Sequence, residues 1–464
     1  MDPLSLSRIA AFASARIAAG GQDPTISRIS TDSRTLQRGD LFVPIRGENF
    51  DGHKFVEQAA ERGASGALVE ENWNGRVPEG FALLRVPDTL AAYQQIAAGY
   101  RKSLGLKVIA ITGSNGKTST KDFVAAALGR GFHVTKTEGN FNNHVGLPRT
   151  ILESNSEHEI AVWELGMNHP GEIAALAKIA APDVAMITNI GIAHIEFMGS
   201  REAIAAEKGA LAEAVGSEGT IILNADDPFS ESISRRTSAK TIFAGINNGS
   251  VRAEDIRQTA SGSEFTILEG AHRCRAQLPV PGLHMVQNAI LAVAAGRAFG
   301  LSLEDCAAGL ASTPLTKARL QLREIRGVQF LDDSYNANPE SMKAALRTLM
   351  ELDAEGQRIA VLGQMSELGS ESERGHAEVG ETAADLRIDH LITIGELGAT
   401  IAQAAKSAGL EKATSVNSPA EAAELLEEIA SAGDLVLVKG SRSARTERVM
   451  EEFRNPQSAI RNSL

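Results

Sequence analysis

The stretch KVIAITGSNGKTST, residues 107–120, decides the fold of this chain. Its apolar first half predicts a buried β-strand over Lys107–Thr112. Gly113 and Gly116 let the backbone turn sharply and approach a ligand closely, and a helix is predicted over Lys117–Leu128. In a strand, glycine turn and helix in this order, unpaired N–H groups and the helix dipole bind phosphate.

This loop predicts specific nucleotide contacts. Lys117 is expected on the β- and γ-phosphates, and the Thr118 hydroxyl on Mg²⁺. The usual pattern G-x-x-x-x-G-K-[ST] would put its first glycine at position 111, where this chain has Ile. The loop is the shorter T-G-x-x-G-K-T, and its predicted nucleotide-contacting residues are Gly113, Ser114, Asn115, Gly116, Lys117, Thr118 and Ser119. A glycine turn that only precedes a helix is the alternative.

Strands and helices alternate on both sides of the loop, and this pattern predicts an α/β protein with parallel sheets. Residues 86–313 are predicted to form a central P-loop NTPase-like domain, interrupted by an antiparallel insertion at 250–280 and followed by a helix over 288–299. Residues 1–85 read as a small α/β domain with strands near 26–30, 40–45, 66–69 and 82–86. Residues 314–464 read as a Rossmann-like domain with strands near 329–332, 358–363, 390–394 and 434–439.

Length and composition limit the function. At roughly 150 residues per domain, 464 residues agree with three domains. The formal net charge of −12 argues against a nucleic-acid partner, because phosphate backbones require a basic surface. Cys274 and Cys306 are the only cysteines, so we expect reduced thiols and no disulfide framework or zinc cluster.

No apolar stretch reaches the ~18 residues of a membrane span. The small-residue-rich segment 10–20 has no uninterrupted apolar core, so it is predicted to be a helix and not a signal peptide. We therefore expect a cytoplasmic protein without a membrane span.

Two further segments place metal-ligating residue types at strand ends, where open α/β sheets bind ligands. Glu164 and His194 each follow an apolar strand, so a carboxylate and an imidazole near the loop would suit a second Mg²⁺. The alternatives are an ordinary cap or salt bridge for Glu164 and a loop histidine for His194. Lys208 is expected on the surface, because a protonated lysine repels cations, unless it is converted to an anionic carbamate.

These residues together resemble the Mur ligase family of ATP-dependent amide-forming ligases. The resemblance covers essentially the whole chain. The segments that match the family pattern are Thr31-Asp-Ser-Arg34, Gly47-Glu48, Asp51-Gly-His53, the Thr112–Thr120 loop, Gly139-Asn-Phe-Asn-Asn143, Glu164-Leu-Gly-Met-Asn168, Thr188-Asn189 through His194, Glu207-Lys208, Pro281-Gly-Leu-His284 with Asn288, Asp332-Asp-Ser-Tyr-Asn-Ala-Asn-Pro339, and Gly363-Gln-Met-Ser-Glu-Leu-Gly369.

The resemblance implies a reaction and its partners. The terminal carboxylate of a UDP-N-acetylmuramoyl tripeptide attacks the γ-phosphate of ATP, and the amine of D-alanyl-D-alanine then attacks the acyl phosphate. Two Mg²⁺ ions are implied, with Thr118, Glu164, His194 and a carbamylated Lys208 as the metal-site residues. Lys117 and Arg319 would complete the catalytic set, Arg319 from a hinge at residues 316–320. A monomer is expected.

The remaining binding residues are also implied by the resemblance. Asn288 would face the adenine, while further nucleotide contacts would come from Asp333, Tyr335, Asn336 and Asn338, which follow the first strand of the C-terminal domain. The UDP-sugar end would contact Asp32, Ser33, Arg34, Gly47, Glu48, Asp51, His53, Asn140, Asn142 and Asn143. The motif at Lys439-Gly-Ser-Arg442 is a weaker candidate for the dipeptide carboxylate.

The sequence departs from the family pattern at two points, and three alternative functions stay open. Gln364 stands where the family usually has Asp, and the chain lacks the Asp-Asn-Pro-Arg motif of the diamino-acid-adding member. A folylpolyglutamate synthetase would bind folate, a P-loop kinase would release a phosphorylated product, and a regulatory nucleotide-binding protein would lack catalysis. A switch GTPase is disfavoured, because no Asn-Lys-x-Asp guanine motif is present.

Overall fold

The computed structural model describes residues 1–19, 23–47, 50–259 and 261–455. Within these residues the chain forms three main β-sheets, each with its own helices. The three sheets follow one another along the chain, as the alternation of the sequence predicts for an α/β protein.

The N-terminal sheet is small and mixed. Its strand order is β2-β9-β8-β5-β4, parallel except for the β2–β9 pair. The elements here are β1 (Leu4–Ser5), α1 (Leu6–Phe12), β2 (Arg16–Ala19), β3 (Thr25–Ile26), β4 (Ile29–Ser30), β5 (Leu41–Phe42), β6 (Arg46–Gly47), β7 (Phe50–Asp51), a 3-10 helix (Gly52–Phe55), α2 (Val56–Glu61), β8 (Gly66–Glu70) and β9 (Ala82–Val86).

The central sheet carries the glycine loop. Its elements are α3 (Thr89–Ser103), β10 (Lys107–Thr112), α4 (Lys117–Leu128), β11 (Val134–Lys136), α5 (Gly146–Glu153), β12 (Ile160–Glu164), α6 (Glu172–Ala180), β13 (Val184–Ile187), α7 (Ile195–Met198), α8 (Arg201–Glu213), β14 (Thr220–Asn224), α9 (Ser230–Ser234), β15 (Lys240–Gly245), β16 (Val251–Thr259), β17 (Gly262–Glu269), β18 (His272–Leu278), α10 (Leu283–Ala298) and α11 (Leu303–Ala311). The order is β11-β12-β10-β13-β14-β15-β16-β17-β18. Strands β11 to β16 are parallel, and β17 and β18 add antiparallel hairpins.

The C-terminal sheet has the order β19-β20-β24-β21-β22-β23, parallel except for the β19–β20 hairpin. Its elements are β19 (Gln321–Ile325), β20 (Val328–Asp333), α12 (Pro339–Glu351), β21 (Arg358–Gly363), a 3-10 helix (Gly369–Glu371), α13 (Ser372–Asp385), β22 (His390–Ile394), α14 (Glu396–Ser407), β23 (Ala413–Val416), α15 (Pro419–Ile429), β24 (Leu435–Lys439), a 3-10 helix (Arg442–Ala444) and α16 (Glu447–Arg454).

Several predicted elements are confirmed. The strand before the loop, helix α4 and strands β21 and β22 have the predicted bounds. The antiparallel insertion is also confirmed, although β16 pairs in parallel with β15 and so extends the central sheet. Helix α10 begins five residues before the predicted position, because Gly282, with φ of 112°, ends the preceding turn.

Two predictions need correction. The helix predicted over residues 10–20 ends at Phe12, since Ser14 takes a left-handed φ of 51°, and Arg16–Ala19 then pairs with β9 as a strand. Gly20 lies outside the described residues. The first strand of the C-terminal sheet is β19, so the motif beginning at Asp332 starts at the end of the second strand, β20.

Helix α10 explains how the central sheet is covered. It is apolar on every side and packs against α4, α11 and strands β14 to β17. A helix buried all round lacks the polar face of a surface helix. Its position behind the loop also brings Asn288 to the glycine turn. Among the described helices, none has the length and apolar character needed to cross a membrane.

Truncating Leu291 in α10 tests this packing. Leu291 is fully buried, so Leu291→Ala leaves a cavity and should lower the free energy of unfolding by about 2–5 kcal/mol. Leu283 begins the same helix and is 46% exposed, so Leu283→Ala should change it by about 0.5 kcal/mol or less. Thermal and denaturant unfolding measure both variants, and equal losses would contradict the packing described for α10.

Candidate active site

The glycine loop between β10 and α4 is tightly packed. Gly116 has a φ of 79°, and a Cβ there would lie 2.5 Å from Oδ1 of Asn288. A Cβ at Gly113 would collide with the Thr188 hydroxyl. Both positions therefore require glycine, and the backbone between them is free to approach a ligand.

The segment after β13 holds this loop in place. The Ser114 N–H donates to the Asn189 carbonyl (3.0 Å), and the Asn115 N–H donates to Oδ1 of Asn189 (2.9 Å). The Thr188 hydroxyl donates to the Asn115 carbonyl (2.6 Å). The Thr188-Asn189 pair, singled out in the sequence, thus fixes the shape of the loop.

Lys117 lies at the start of α4, partly buried. Its Nζ donates to the carbonyls of Gly113 (2.8 Å) and Ser114 (3.4 Å). Burial lowers the pKa of the ammonium group, the charge of Arg319 lowers it further, and Glu164 opposes both. A partly desolvated cation at a loop of this shape is suited to an anionic ligand.

Glu164 ends β12 and is only 2% exposed. Its Oε2 accepts from the Thr118 hydroxyl (3.0 Å) and its Oε1 accepts from Nδ2 of Asn142 (2.8 Å). These hydrogen-bond partners, within the described chain, are uncharged. A buried carboxylate is costly without a counter-charge, and carboxylate and hydroxyl oxygens are ligands of Mg²⁺. The pair Thr118–Glu164 therefore fits a magnesium site.

His194 precedes α7 in a left-handed conformation, with φ of 64°. Its Nδ1 lies 2.6 Å from Oε2 of Glu367. Glu367 belongs to the part of the chain that carries the C-terminal sheet, here called the C-terminal part. The hydrogen bond from His194 lowers the pKa of the Glu367 carboxyl group, and burial partly opposes this effect. A carboxylate on one ring nitrogen orients the other, Nε2, toward a ligand, as at metal-binding histidines.

Lys208 is not on the surface, so that interpretation was wrong. It lies in α8 and is 1% exposed. Burial, followed by the charge of Lys117, lowers its pKa well below the ordinary value, while Glu207 acts in the opposite direction. No group of three or more His, Cys, Asp or Glu suited to a metal ion occurs in the described chain.

The C-terminal part contributes a second wall. Nζ of Lys439 lies 2.5 Å from Oδ2 of Asp333 and donates to the Asn336 carbonyl (3.0 Å). Arg319 lies over the Tyr335 ring, 4.1 Å from its centroid, and Nη2 of Arg319 donates to the Thr118 hydroxyl (3.2 Å). This wall therefore reaches directly to the first turn of α4.

The two walls enclose a cavity of about 800 Å³. Most predicted site residues line it: Ser114, Asn115, Gly116, Lys117, Thr118, Asn140, Asn142, Asn143, Glu164, His194, Asn288, Arg319, Asp333, Tyr335, Asn336 and Asn338. Gly113, Ser119, Lys208 and Gln364 are not among the residues that line this cavity.

The predicted N-terminal residues do not line the cavity. Arg34 forms a two-point ion pair with Asp32 (2.8 and 2.9 Å) and lowers the pKa of that carboxyl group to about 2. Asp51 and His53 are joined at 2.8 Å, and Nε2 of His53 accepts from the Glu70 N–H. Ser33 and Gly47 are also outside the lining, and Glu48 lies outside the described residues.

The lining also includes residues to which the sequence analysis assigned no role, among them Glu340 and His284. Glu340 accepts from the Ile192 N–H (3.0 Å), and its position follows from the Asn338-Pro339 helix start, a signal that places it in the first turn of α12. Burial lowers the pKa of His284 to about 4, and the charge of Lys439 acts in the same direction. His284 belongs to the segment Pro281-Gly-Leu-His284 of the resemblance, but no local sequence pattern identifies its partner.

Gly116→Ala tests the loop. The added Cβ meets Asn288 and the left-handed φ disfavours alanine, so nucleotide affinity should fall by about tenfold or more. Gly105 has open space around its Cβ direction, so Gly105→Ala should bind nucleotide as the unmodified chain does. Calorimetric titration with ATP and Mg²⁺ measures both, and an unchanged affinity for Gly116→Ala would contradict this role of the loop.

Comparison with known families agrees with this architecture. The family model described as "Mur ligase middle domain" matches residues 111–296. The "Mur ligase, glutamate ligase domain" matches residues 318–442, and the "Mur ligase family, catalytic domain" matches residues 25–101. Each of the three main sheets thus overlaps with a model of the Mur ligase family.

Individual proteins are similar over nearly the whole chain. The UDP-N-acetylmuramoyl-tripeptide–D-alanyl-D-alanine ligase of Bacillus subtilis is 40% identical, over 93% of this chain and 94% of the relative. A crystal structure of MurF from Acinetobacter baumannii matches with a TM-score of 0.89 and 34% identity, covering 98% of this chain and 99% of the other.

A second solved structure, the MurF ligase of Thermotoga maritima in complex with ADP, has a TM-score of 0.83 and 29% identity, covering 93% of this chain and 98% of the other. With a relative at 40% identity over 93% of its length, and three family models along it, this chain belongs to the Mur ligase family.

Proposed function

We propose that this protein joins D-alanyl-D-alanine to a UDP-N-acetylmuramoyl tripeptide, with ATP converted to ADP and phosphate. The observation that carries the proposal is the 40% identity, over nearly the full length of both chains, with a ligase of that name. The cavity between the central and C-terminal sheets supports it, because one space meets both the glycine loop and the buried Glu164.

The first step brings two anions together. A carboxylate oxygen of the tripeptide attacks the γ-phosphorus of ATP, a new O–P bond forms, and the bond to the β-γ bridging oxygen breaks to release ADP. Positioning and charge neutralisation dominate such a step. Lys117 would neutralise the β- and γ-phosphates, and Arg319, already at the Thr118 hydroxyl, would reach the γ-phosphate.

Mg²⁺ would be held by Thr118 and Glu164, with a second ion at Glu164 and His194, and it would supply further charge neutralisation. The Glu367 carboxylate would keep the His194 ring oriented. Lys208 would serve this region as a carbamate, because a neutral amine, favoured by its burial, is the form that combines with CO₂. The carbamate would also remove the repulsion between Lys208 and Lys117.

In the second step the amine of D-alanyl-D-alanine attacks the acyl carbon. The new C–N bond replaces the C–O bond to phosphate, phosphate leaves, and the amine loses a proton. Water would hydrolyse the acyl phosphate, so the cavity must exclude it. The side chains from the C-terminal part, Asp333, Tyr335, Asn336 and Asn338, would bind the nucleotide and close this wall, opposite Asn288.

Each of the three parts of the chain, with its own sheet, would bind a different ligand. Residues 1–85 would bind the UDP end, 86–313 would bind ATP, and 314–464 would close over ATP and receive the dipeptide. Asn140, Asn142 and Asn143 line the cavity and would contact the sugar-diphosphate region. We further propose a monomer that acts in the cytoplasm, in the synthesis of peptidoglycan precursors.

The direct test is an assay with ATP, Mg²⁺, UDP-N-acetylmuramoyl tripeptide and D-alanyl-D-alanine. We expect phosphate release that depends on the dipeptide and a product mass equal to the two substrates less one water. Tripeptides ending in lysine and in diaminopimelate are compared, with D-alanine as the control acceptor. Release that depends on folate and glutamate, or a phosphorylated final product, would instead support a folylpolyglutamate synthetase or a kinase.

Lys208 is tested by replacing it with arginine and with alanine. Neither side chain can form the carbamate, so both variants should lose about 10–100-fold in rate. With ¹³C-labelled bicarbonate, the unmodified protein should show a carbamate carbon signal that both variants lack. Full activity of Lys208→Arg, or an identical spectrum for all three proteins, would reject the carbamate.

A further inference from the structure

A buried carboxylate that the proposed reaction does not use lies one turn below Thr118 on α4. Asp122 is 1% exposed, and its Oδ1 accepts from Nζ of Lys136 (2.7 Å). Its Oδ2 accepts two hydrogen bonds from Thr316, one from the backbone N–H (3.1 Å) and one from the hydroxyl (2.7 Å). Thr316 belongs to the linker between α11 and β19.

Two residues after Thr316, the linker is also bound to the C-terminal part. The Ala318 carbonyl accepts from the Tyr335 N–H (3.3 Å), and Tyr335 follows β20 of the C-terminal sheet. Only Lys317 separates the residue held by the central part from the residue held by the C-terminal part, and Lys317 is exposed. Ala318 and Leu320 have left-handed φ values of 60° and 52°, which non-glycine residues adopt at a cost. The change of chain direction between the central and C-terminal parts is therefore confined to a few backbone bonds.

Arg319 lies inside this confined turn. Its guanidinium group contacts the Thr118 hydroxyl of the central part and the Tyr335 ring of the C-terminal part. Thr118 and Asp122 are four residues apart on one helix, so they face the same side of α4. The linker thus runs along α4 and is held at Asp122 so that Arg319 meets Thr118.

The surroundings of Asp122 suit an ionised anchor. Burial disfavours its ionised form, but the charge of Lys121 and the hydrogen bonds from Lys136 and Thr316 outweigh this effect and lower its pKa. Nζ of Lys121 donates to the Thr137 carbonyl (2.6 Å), and the Thr137 hydroxyl accepts from the Glu164 N–H. The anchor is therefore built on the same rigid unit as the predicted metal ligands.

We propose that Asp122 is a positioning residue, which holds the linker through Thr316 so that Arg319 is presented to the γ-phosphate end of the nucleotide. This goes beyond the proposed function in naming two residues outside the cavity, and it rests on that function only for ATP as the ligand. The contact between Asp122 and Thr316 sets the central end of the hinge, and rotation of the C-terminal part takes place around Lys317.

Thr316→Val removes the hydroxyl donor while keeping the side-chain size. Loss of a hydrogen bond to a charged group should weaken ATP affinity by about tenfold. Thr316→Ser, the matched control, should bind ATP about as well as the unmodified chain. In an Arg319→Ala background, Thr316→Val should change affinity less than about twofold, because the effect acts through Arg319. Calorimetric titration with ATP and Mg²⁺, without tripeptide or dipeptide, measures the ATP affinity of all these variants.

A second measurement needs no nucleotide. Spin labels at Glu218→Cys and Lys412→Cys, both exposed, report the distance between the central and C-terminal parts after Cys274→Ser and Cys306→Ala. Thr316→Val should broaden the distance distribution and Thr316→Ser should not. Identical distributions, or a loss of affinity equally large without Arg319, would overturn the proposal. A normal hinge result without dipeptide-dependent phosphate release would instead count against the proposed function alone.

Discussion

A buried negative charge, Glu164, is the constraint on which the site depends. The carboxylate is held at the end of β12 by the Thr118 hydroxyl and the Asn142 amide, and its own N–H is held by Thr137. Neutral partners orient a carboxylate but do not cancel its charge. The first turn of α4, with the partly buried Lys117, must therefore lie beside it, and this fixes the relation between β10, β12 and the glycine loop.

The C-terminal part does not merely cover the site, because it also contributes charged and polar side chains that contact the residues of the central part. Arg319 touches Thr118, and Glu367 holds His194. Nδ2 of Asn338 donates to Oδ1 of Asn115 in the loop (2.7 Å). Each of these contacts joins a residue of the central wall to one in the linker or in the C-terminal part, so the relative position of the two parts decides whether the site is assembled. Domain closure and site formation are in this sense one event.

The fold was largely predictable because its strongest signals are local. An apolar strand ending in a glycine turn permits few structures, and Lys107–Thr112 and Lys117–Leu128 have the predicted bounds. The short N-terminal strands were less predictable, because two-residue pairings such as Leu41–Phe42 depend on neighbours distant in the sequence. Lys208 was misjudged for a similar reason, since no local pattern shows that α8 turns it toward Lys117. The loop residues and the C-terminal motif did converge on one cavity, because strand ends of parallel sheets meet at one edge.

Three amines in or next to this cavity, those of Lys117, Lys208 and Lys439, have pKa values lowered chiefly by burial. Desolvated amines of like charge destabilise one another, and only Lys439 has a full ion-pair partner, Asp333, among the described residues. An anionic ligand, or conversion of one amine to an anion, relieves this strain. Binding energy from a polyanion can therefore stabilise the assembled site directly, which explains why cations drawn from both sides of the linker are gathered where two negatively charged reactants have to meet.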